Sequence, residues 1–158
     1  MEPRIENLKE KKLIGLNVTM SLSNNKTLTL WQEFMPRKRE ILNGLNTNLF
    51  SIRIYRSHQD LSNIHSEFEK WAAIEVSDFD KLPNKMKALI IEEGLYAVFL
   101  YKGSSSDHSI YNYIYGTWLP NSTYLLDNRP HFEVMGEKYK NNDPDSEEEI
   151  WIPISLKR

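Results

Sequence analysis

The chain has 158 residues, with 40% hydrophobic and 27% charged side chains and a formal net charge of −2. That suits one soluble globular domain, 1–158, with an apolar core, and it works against a phosphate-tracking DNA-binding surface, which rewards clustered Lys and Arg. There is no cysteine, so disulfides, thiolate metal sites and cysteine nucleophiles are excluded.

Residues 5–20 carry Leu13-Ile14-Gly15-Leu16-Asn17-Val18 and predict a long strand. Lys9, Lys11 and Lys12 decorate it as a solvated cluster. After a polar loop at Ser23-Asn24-Asn25-Lys26, Thr27 is the expected N-cap of a helix with Leu30, Trp31, Phe34 and Met35 at spacings of three and four. Pro36 is expected to kink or restart that helix near the basic run Arg37, Lys38 and Arg39. Phe50-Ser51-Ile52-Arg53-Ile54-Tyr55 alternates with period two and reads as a strand. A polar loop or short helix follows from His58 to Glu67, and then a strand from Lys70 to Val76.

Residues 77–85 turn through Pro83-Asn84. Residues 86–101 predict a long strand bent at Gly94. After a serine-rich turn, Tyr111, Ile114, Tyr115 and Trp118 stand at helical spacing, and Pro120 follows the expected helix end. Residues 121–130 read as loop. His131 to Tyr139 and Glu149 to Leu156 form a closing hairpin, whose acidic tip is Asn142-Asp143-Pro144-Asp145-Ser146-Glu147-Glu148.

The order is β-α-β-β, then β-α-β-β again, which gives half-repeats of about 5–78 and 86–156. Sliding the first half until Ser51 meets Glu133 lays Leu13-Ile14-Gly15-Leu16 on Leu95-Tyr96-Ala97-Val98. It also lays Phe50-Ser51-Ile52 on Phe132-Glu133-Val134. Few letters match, so the repeat is one of element order. Only the second half carries a carboxylate at that position.

Alternation puts His131, Glu133 and Met135 on one strand face and Phe132 and Val134 on the other. Glu133 is then either a solvent-facing residue on a half-buried strand or a carboxylate of a pocket. Aromatic residues make up 11% of the chain, and Trp31, Phe34, Tyr55, Trp71, Tyr96, Tyr111, Tyr115, Trp118 and Trp151 are available for core packing or for cleft walls. The acidic run fails as a calcium loop, which from Asp143 needs glycine at 148 and glutamate at 154, where Glu148 and Ile154 stand. It reads as a solvated hairpin tip. The four histidines (58, 65, 108 and 131) have no ligand spacing, and the phosphate-binding and nucleophile-elbow motifs are missing, so neither metal nor cofactor is expected. No run approaches the roughly 18 apolar residues of a membrane span, and the N-terminus lacks a signal-peptide shape. A cytoplasmic protein is the expectation.

One ordered series of motifs spans the chain from about Arg4 to Leu156. It runs through Leu30-Trp31 with Phe34-Met35-Pro36, Ala72-Ala73-Ile74-Glu75-Val76, Gly94-Leu95-Tyr96-Ala97-Val98-Phe99 with Lys102-Gly103, and Trp118-Leu119-Pro120. It continues with Arg129-Pro130-His131-Phe132-Glu133-Val134, Gly136-Glu137-Lys138-Tyr139 and Glu149-Ile150-Trp151-Ile152-Pro153-Ile154. The series resembles the GyrI-like effector-binding domains of bacterial transcription activators and their stand-alone relatives. The resemblance implies an α+β fold: a tandem βαββ repeat with curved antiparallel sheets, two packed helices and a cleft between the halves.

It also implies that Glu133 lies at the bottom of an apolar pocket that meets cationic ligands. Burial there is expected to raise its pKa, and a bound cation to lower it again. The ligand-binding set expected is Glu133, Tyr96, Trp118, Tyr115, Trp31, Phe34, Tyr55 and Trp71, with Tyr96 and Trp118 as leading wall residues. Regulators of this type carry a helix-turn-helix segment ahead of the effector domain. This chain begins almost on its first strand, so the expectation is a stand-alone binder or sequestering protein for lipophilic, cationic or aromatic molecules, without direct DNA binding. Two other readings stay open. One is a hydrolase of reactive small molecules, with Glu133 as general base and Tyr96 as proton donor. The other is a protein-interaction module of gyrase-inhibitor type.

Overall fold

The computed structural model describes residues 1–56 and 60–157. Nine strands form among them: β1 (Arg4–Leu8), β2 (Lys11–Met20), β3 (Leu49–Ile54), β4 (Phe68–Val76), β5 (Lys87–Ile91), β6 (Gly94–Lys102), β7 (Tyr124–Leu126), β8 (His131–Met135) and β9 (Glu147–Leu156). Helix α1 spans Thr27–Arg37 and ends in a 3-10 turn, Lys38–Glu40. Helix α2, Ser109–Tyr113, runs on through a wide π-helical turn, Ile114–Trp118, and a last turn, Leu119–Asn121.

All strand pairings are antiparallel, in the order β1-β6-β9-β8-β3-β4-β2-β5, with β7 beside the end of β9. This is the α+β tandem repeat: β2-α1-β3-β4 and β6-α2-β8-β9 are joined through β3 and β8 at the centre. Ser51 and Glu133, the two residues that the overlaid halves equate, face each other across that junction. They mark a pseudo-twofold axis.

The expected long strands at 5–20 and 86–101 are each two strands. The reason is an exchange between halves. β1 leaves β2 to pair with β6, and β5 leaves β6 to pair with β2. The chain therefore crosses over near Gly94 rather than bending within one strand. β7 lies inside the segment expected as loop. Thr27 is the first helical residue rather than the cap: its N–H donates to Asn25 Oδ1 at 3.0 Å, and its hydroxyl to Met20 Sδ at 3.5 Å. Pro36 sits inside the last turn of α1 without ending it. His58, at the start of the expected polar loop, lies outside the described residues; 60–67 run as turns and loop.

Leu8 of β1 and Ile91 of β5 stand at opposite edges of the sheet, yet share one core with Phe50, Ile52, Trp71, Tyr96, Phe132 and Trp151. Only a strongly curled sheet brings its two edges to a common centre. Close approach of β2 and β4 contributes, since a Cβ at Gly15 would overlap Ala72 O and Ala73. The outer face carries the helices. Leu30 and Phe34 of α1 pack on Ile14, Ala72 and Ile74, and Ile110, Ile114 and Trp118 pack on Ala97, Phe99, Ile150 and Ile152. Each helix covers one flank, and the middle of the outer face, β3 and β8, is left between them. No described helix is long and apolar enough to cross a membrane.

Candidate functional site

The gap between the helices is a cavity of about 680 Å³. α1 is two-sided. Leu30 and Phe34 point into the sheet, while Leu28, Trp31 and Met35, one helical face further round, line the cavity. The opposite wall is Ile110 and Tyr111 at the start of α2, with Tyr139 from the last hairpin. Polar side chains, among them Asn25, Asp107, His108 and Asn142, also line it.

The floor is polar, and the sheet register explains it. Ser51 pairs with Glu133, and Arg53 pairs with Lys70. Ser51 also pairs with Ala72, and Glu133 with Ile150, so moving two residues back along β4 and β9 makes Lys70 and Glu148 pseudo-symmetric equivalents. Ser51, Arg53, Lys70, Glu133, Met135 and Glu148 all reach the cavity. One half contributes two cations and the other two carboxyls. The short Ser51 side chain on the axis leaves space above it.

Tyr111 Oη donates a hydrogen bond to Glu133 Oε1. The Arg53 guanidinium lies 5.5 Å from the ring centres of both Tyr111 and Phe68. Behind the floor, His131 Nδ1 is 2.9 Å from Tyr115 Oη, and the Tyr55 ring packs edge-on against the imidazole at 4.9 Å. A void of about 10 Å³ lies among Arg53, Tyr55, Tyr111, Tyr115, His131 and Glu133, room for about one water.

Desolvation opposes ionisation of Glu133, but Lys70, the hydrogen bond with Glu148, Arg53 and Tyr111 together outweigh it. Its pKa falls below the ordinary carboxylate value. This reverses the rise expected for a carboxylate buried alone, because Glu133 is not alone. The rise belongs to its neighbour: burial, then the charge and hydrogen bond of Glu133, push Glu148 up to about 9. The pair shares a proton, which Glu148 holds at neutral pH. Burial, followed by the charge of Arg53, lowers Lys70 to about 7. Burial and Arg53 likewise depress His131 to about 3, so its imidazole is neutral.

Of the residues singled out from the sequence, Glu133 lies on the cavity floor and Trp31 on its wall. Tyr55 and Tyr115 border the small void behind the floor. Phe34 is in the core beneath α1. Trp71 and Tyr96 are on the inner face of the sheet, opposite to Glu133, and Tyr96 Oη donates to Pro130 O at 2.7 Å. Trp118 is buried against Phe99 and Tyr124, with ring centres at 5.2 and 6.2 Å. Arg53, Lys70 and Glu148 lie beyond the set of site residues expected from the sequence, which offers Tyr111 only among the aromatics. Glu148 corrects the reading of the acidic run as a solvated tip: its side chain is 7% exposed. Signals for two of these residues were present. Lys70 alternates with Ala72 and Ile74, and Glu148 with Ile150 and Ile152, which places each on a buried face.

The sequence pattern of the GyrI-like small molecule binding domain matches residues 1–155. The chain belongs to that family. Solved structures of the same fold include a putative bacterial transcription regulation protein from Staphylococcus aureus MU50, 15% identical, covering 98% of this chain and 99% of that one, with a TM-score of 0.71. SAV2435, solved bound to tetraphenylphosphonium, is 16% identical over 98% of this chain and 94% of its own, with a TM-score of 0.70. A hydrolase from Listeria innocua is 11% identical over 98% and 92%, with a TM-score of 0.63. No curated protein sequence matches the chain significantly.

In this GyrI-like domain the two tryptophans have separable roles. Trp31→Ala removes half-buried cavity wall and is expected to weaken binding of an aromatic ligand by about tenfold while the protein stays folded. Trp118→Ala empties core space and is expected to cost ~3–5 kcal/mol of stability. Urea unfolding and ligand titration of both variants make the comparison. A larger stability loss for Trp31→Ala would contradict the assignment.

Proposed function

We propose that this GyrI-like domain binds lipophilic cationic or aromatic small molecules in the cavity between α1 and α2, as a sensing or sequestering module. Trp31, Met35, Ile110, Tyr111 and Met135 take the apolar body of the ligand, and the carboxyl pair Glu133 and Glu148 supplies the counter-charge. The observation that carries this reading is a cavity of about 680 Å³ with aromatic and thioether walls over a floor holding two coupled carboxyls. Burial of a ligand against such walls contributes roughly 25 cal/mol per Å² of apolar surface. Aromatic faces add cation–π attraction of about 0.5–2 kcal/mol each. Membership of a small-molecule-binding family supports the reading, as does the lipophilic cation held by SAV2435.

Charge accounting explains how one site accepts cationic and neutral ligands. Arg53 and Glu133 offset each other. Lys70 and Glu148 are both uncharged just above neutrality, when the first has lost its proton and the second still holds one. A neutral aromatic meets a floor without net charge. A cation draws the proton from Glu148 and meets a carboxylate.

Calorimetric titration with tetraphenylphosphonium and with neutral triphenylphosphine oxide tests the proposal. Both are expected to bind, the cation more tightly, with quenching of tryptophan fluorescence that Trp31→Ala abolishes. Absence of binding by either compound up to about 1 mM, the weak end of specific affinity, would refute it.

A second reading, hydrolysis of a reactive small molecule, is favoured by one contact. The Tyr111 hydroxyl, rather than that of Tyr96, meets Glu133, next to a void the size of one water. The lowered pKa of Glu133 makes it a weak base, which ranks this reading second.

A further inference from the structure

In the binding reading Lys70 enters only through its charge, and its amine is given no ligand contact. Its side chain is 3% exposed, yet it borders the cavity. Its Nζ makes no hydrogen bond or ion pair with the described residues; the charges of Glu133 and Glu148 favour its ammonium, but burial and Arg53 outweigh them. On the two strands beside β4, Lys70 is opposite Arg53 of β3 and the apolar Val18 of β2, and further charged groups come from beyond β3. Glu133 is on β8, and Glu148 is on β9; Tyr111 comes from α2, while Tyr101, Tyr139, Asp107 and His108 border the same cavity. The cavity residues of α1, which include Trp31 and Met35, bring no ionisable group. Glu148 Oε2 is also buried without a hydrogen-bond partner. An amine and a carboxyl oxygen, each without a hydrogen bond of its own, therefore border one roomy space.

Desolvation together with an adjacent cation is the arrangement that turns a lysine into a nucleophile, because both disfavour the ammonium. The depressed pKa of Lys70, about 7, agrees with this, as does the proton that Glu148 retains to about 9. Amine and acid are thus both in the uncharged forms needed for condensation with a carbonyl compound.

We infer that Lys70 captures lipophilic aldehydes and ketones as imines, with Glu148 as the proton donor. The Nζ lone pair forms a bond to the carbonyl carbon while the carbonyl oxygen takes up a proton, and Nζ gives up one of its own through Glu148. The resulting carbinolamine hydroxyl is then protonated by Glu148 and leaves as water as the C=N bond forms. The iminium proton returns to the Glu148 carboxylate. Carbonyl compound and amine become imine and water, with no change of oxidation state. The aromatic and thioether walls select a carbonyl compound with an apolar, aromatic body.

The test uses 2-naphthaldehyde with cyanoborohydride, which reduces an imine to a stable secondary amine, followed by intact mass and peptide mapping. One saturable adduct is expected, on Lys70. At neutral pH it forms about a hundredfold faster than on exposed lysines such as Lys9, Lys81 or Lys87. Lys70→Arg keeps a long cationic side chain and is expected to abolish that adduct. Glu148→Gln mimics the protonated carboxyl but transfers no proton, so it is expected to slow labelling on the order of a hundredfold. Labelling of Lys70 no faster than the exposed lysines overturns the inference, and an unchanged rate in Glu148→Gln overturns the proton-donor role. A parallel tetraphenylphosphonium titration separates the two readings. Phosphonium binding without Lys70 labelling rejects imine capture and leaves the binding cavity standing, whereas labelling without phosphonium binding rejects the cation reading alone.

Discussion

Glu133→Gln combined with Glu148→Gln is expected to lower the affinity for tetraphenylphosphonium by about a hundredfold or more, about 2.7 kcal/mol. Either single substitution is expected to cost about threefold or less, so that the two together would account for only about tenfold if they acted independently. The asymmetry follows from the shared proton. Glu148 holds its proton because burial and the Glu133 charge penalise its ionisation. With glutamine at 133 the second cause disappears, Glu148 ionises more readily, and the floor recovers a negative charge. With both carboxyls gone, Arg53 faces the ligand without an anion. Neutral triphenylphosphine oxide is the internal control, and its affinity is expected to change little. The double variant is also expected to be less stable, since removing the partner of a buried charge is costly. Circular dichroism establishes that it is folded under the assay conditions. Losses that simply add would show that the two carboxyls act independently, contrary to the shared-proton account.

Affinity for the same cation is expected to rise at least tenfold between about pH 6 and about pH 9, with protons released on binding. The sign comes from Lys70 and Glu148. Below about 7 Lys70 is charged and Glu148 neutral, so with Arg53 and Glu133 offsetting each other the floor is net positive. Between about 7 and 9 both are neutral, and above about 9 Glu148 is a carboxylate. Each step makes the floor more favourable to a cation, and a bound cation drives the same deprotonations at lower pH. Calorimetry in two buffers of different ionisation enthalpy counts the released protons. Affinity independent of pH, with no proton released, would show that the ligand does not meet this cluster. His131 does not contribute in this range, because it is held neutral down to about 3.

Much of the frame was legible in the chain itself. The period-two runs around Ile52, Ile74, Val98, Phe132 and Ile152, and the three-four spacing of Leu30, Trp31 and Phe34, are local signals, set by side-chain direction along a strand or helix. The repeat was legible because each half lists the same elements in the same order. The exchange of β1 and β5 between halves was not, because strand pairing is a non-local choice and each of those segments reads as an extension of the strand beside it.

The candidate site divides in the same way. Alternation around Glu133 separates the two faces of β8 from sequence alone, and the overlay of the halves puts Ser51 and Glu133 on the repeat axis. Which face meets the cavity, and with what company, was decided by the tertiary structure. Curling of the sheet sends Tyr96 and Trp71 inward to the core, and the seating of the second helix on Phe99 takes Trp118 with it. Pairing of β3 with β4, β8 with β9, and β3 with β8 gathers Arg53, Lys70, Glu133 and Glu148 from four separated segments. The charge state of each then depends on the others across the sheet. No local reading of Lys70 or Glu148 contains that information, since proximity and desolvation, the causes of their altered proton affinities, exist only once the strands have met.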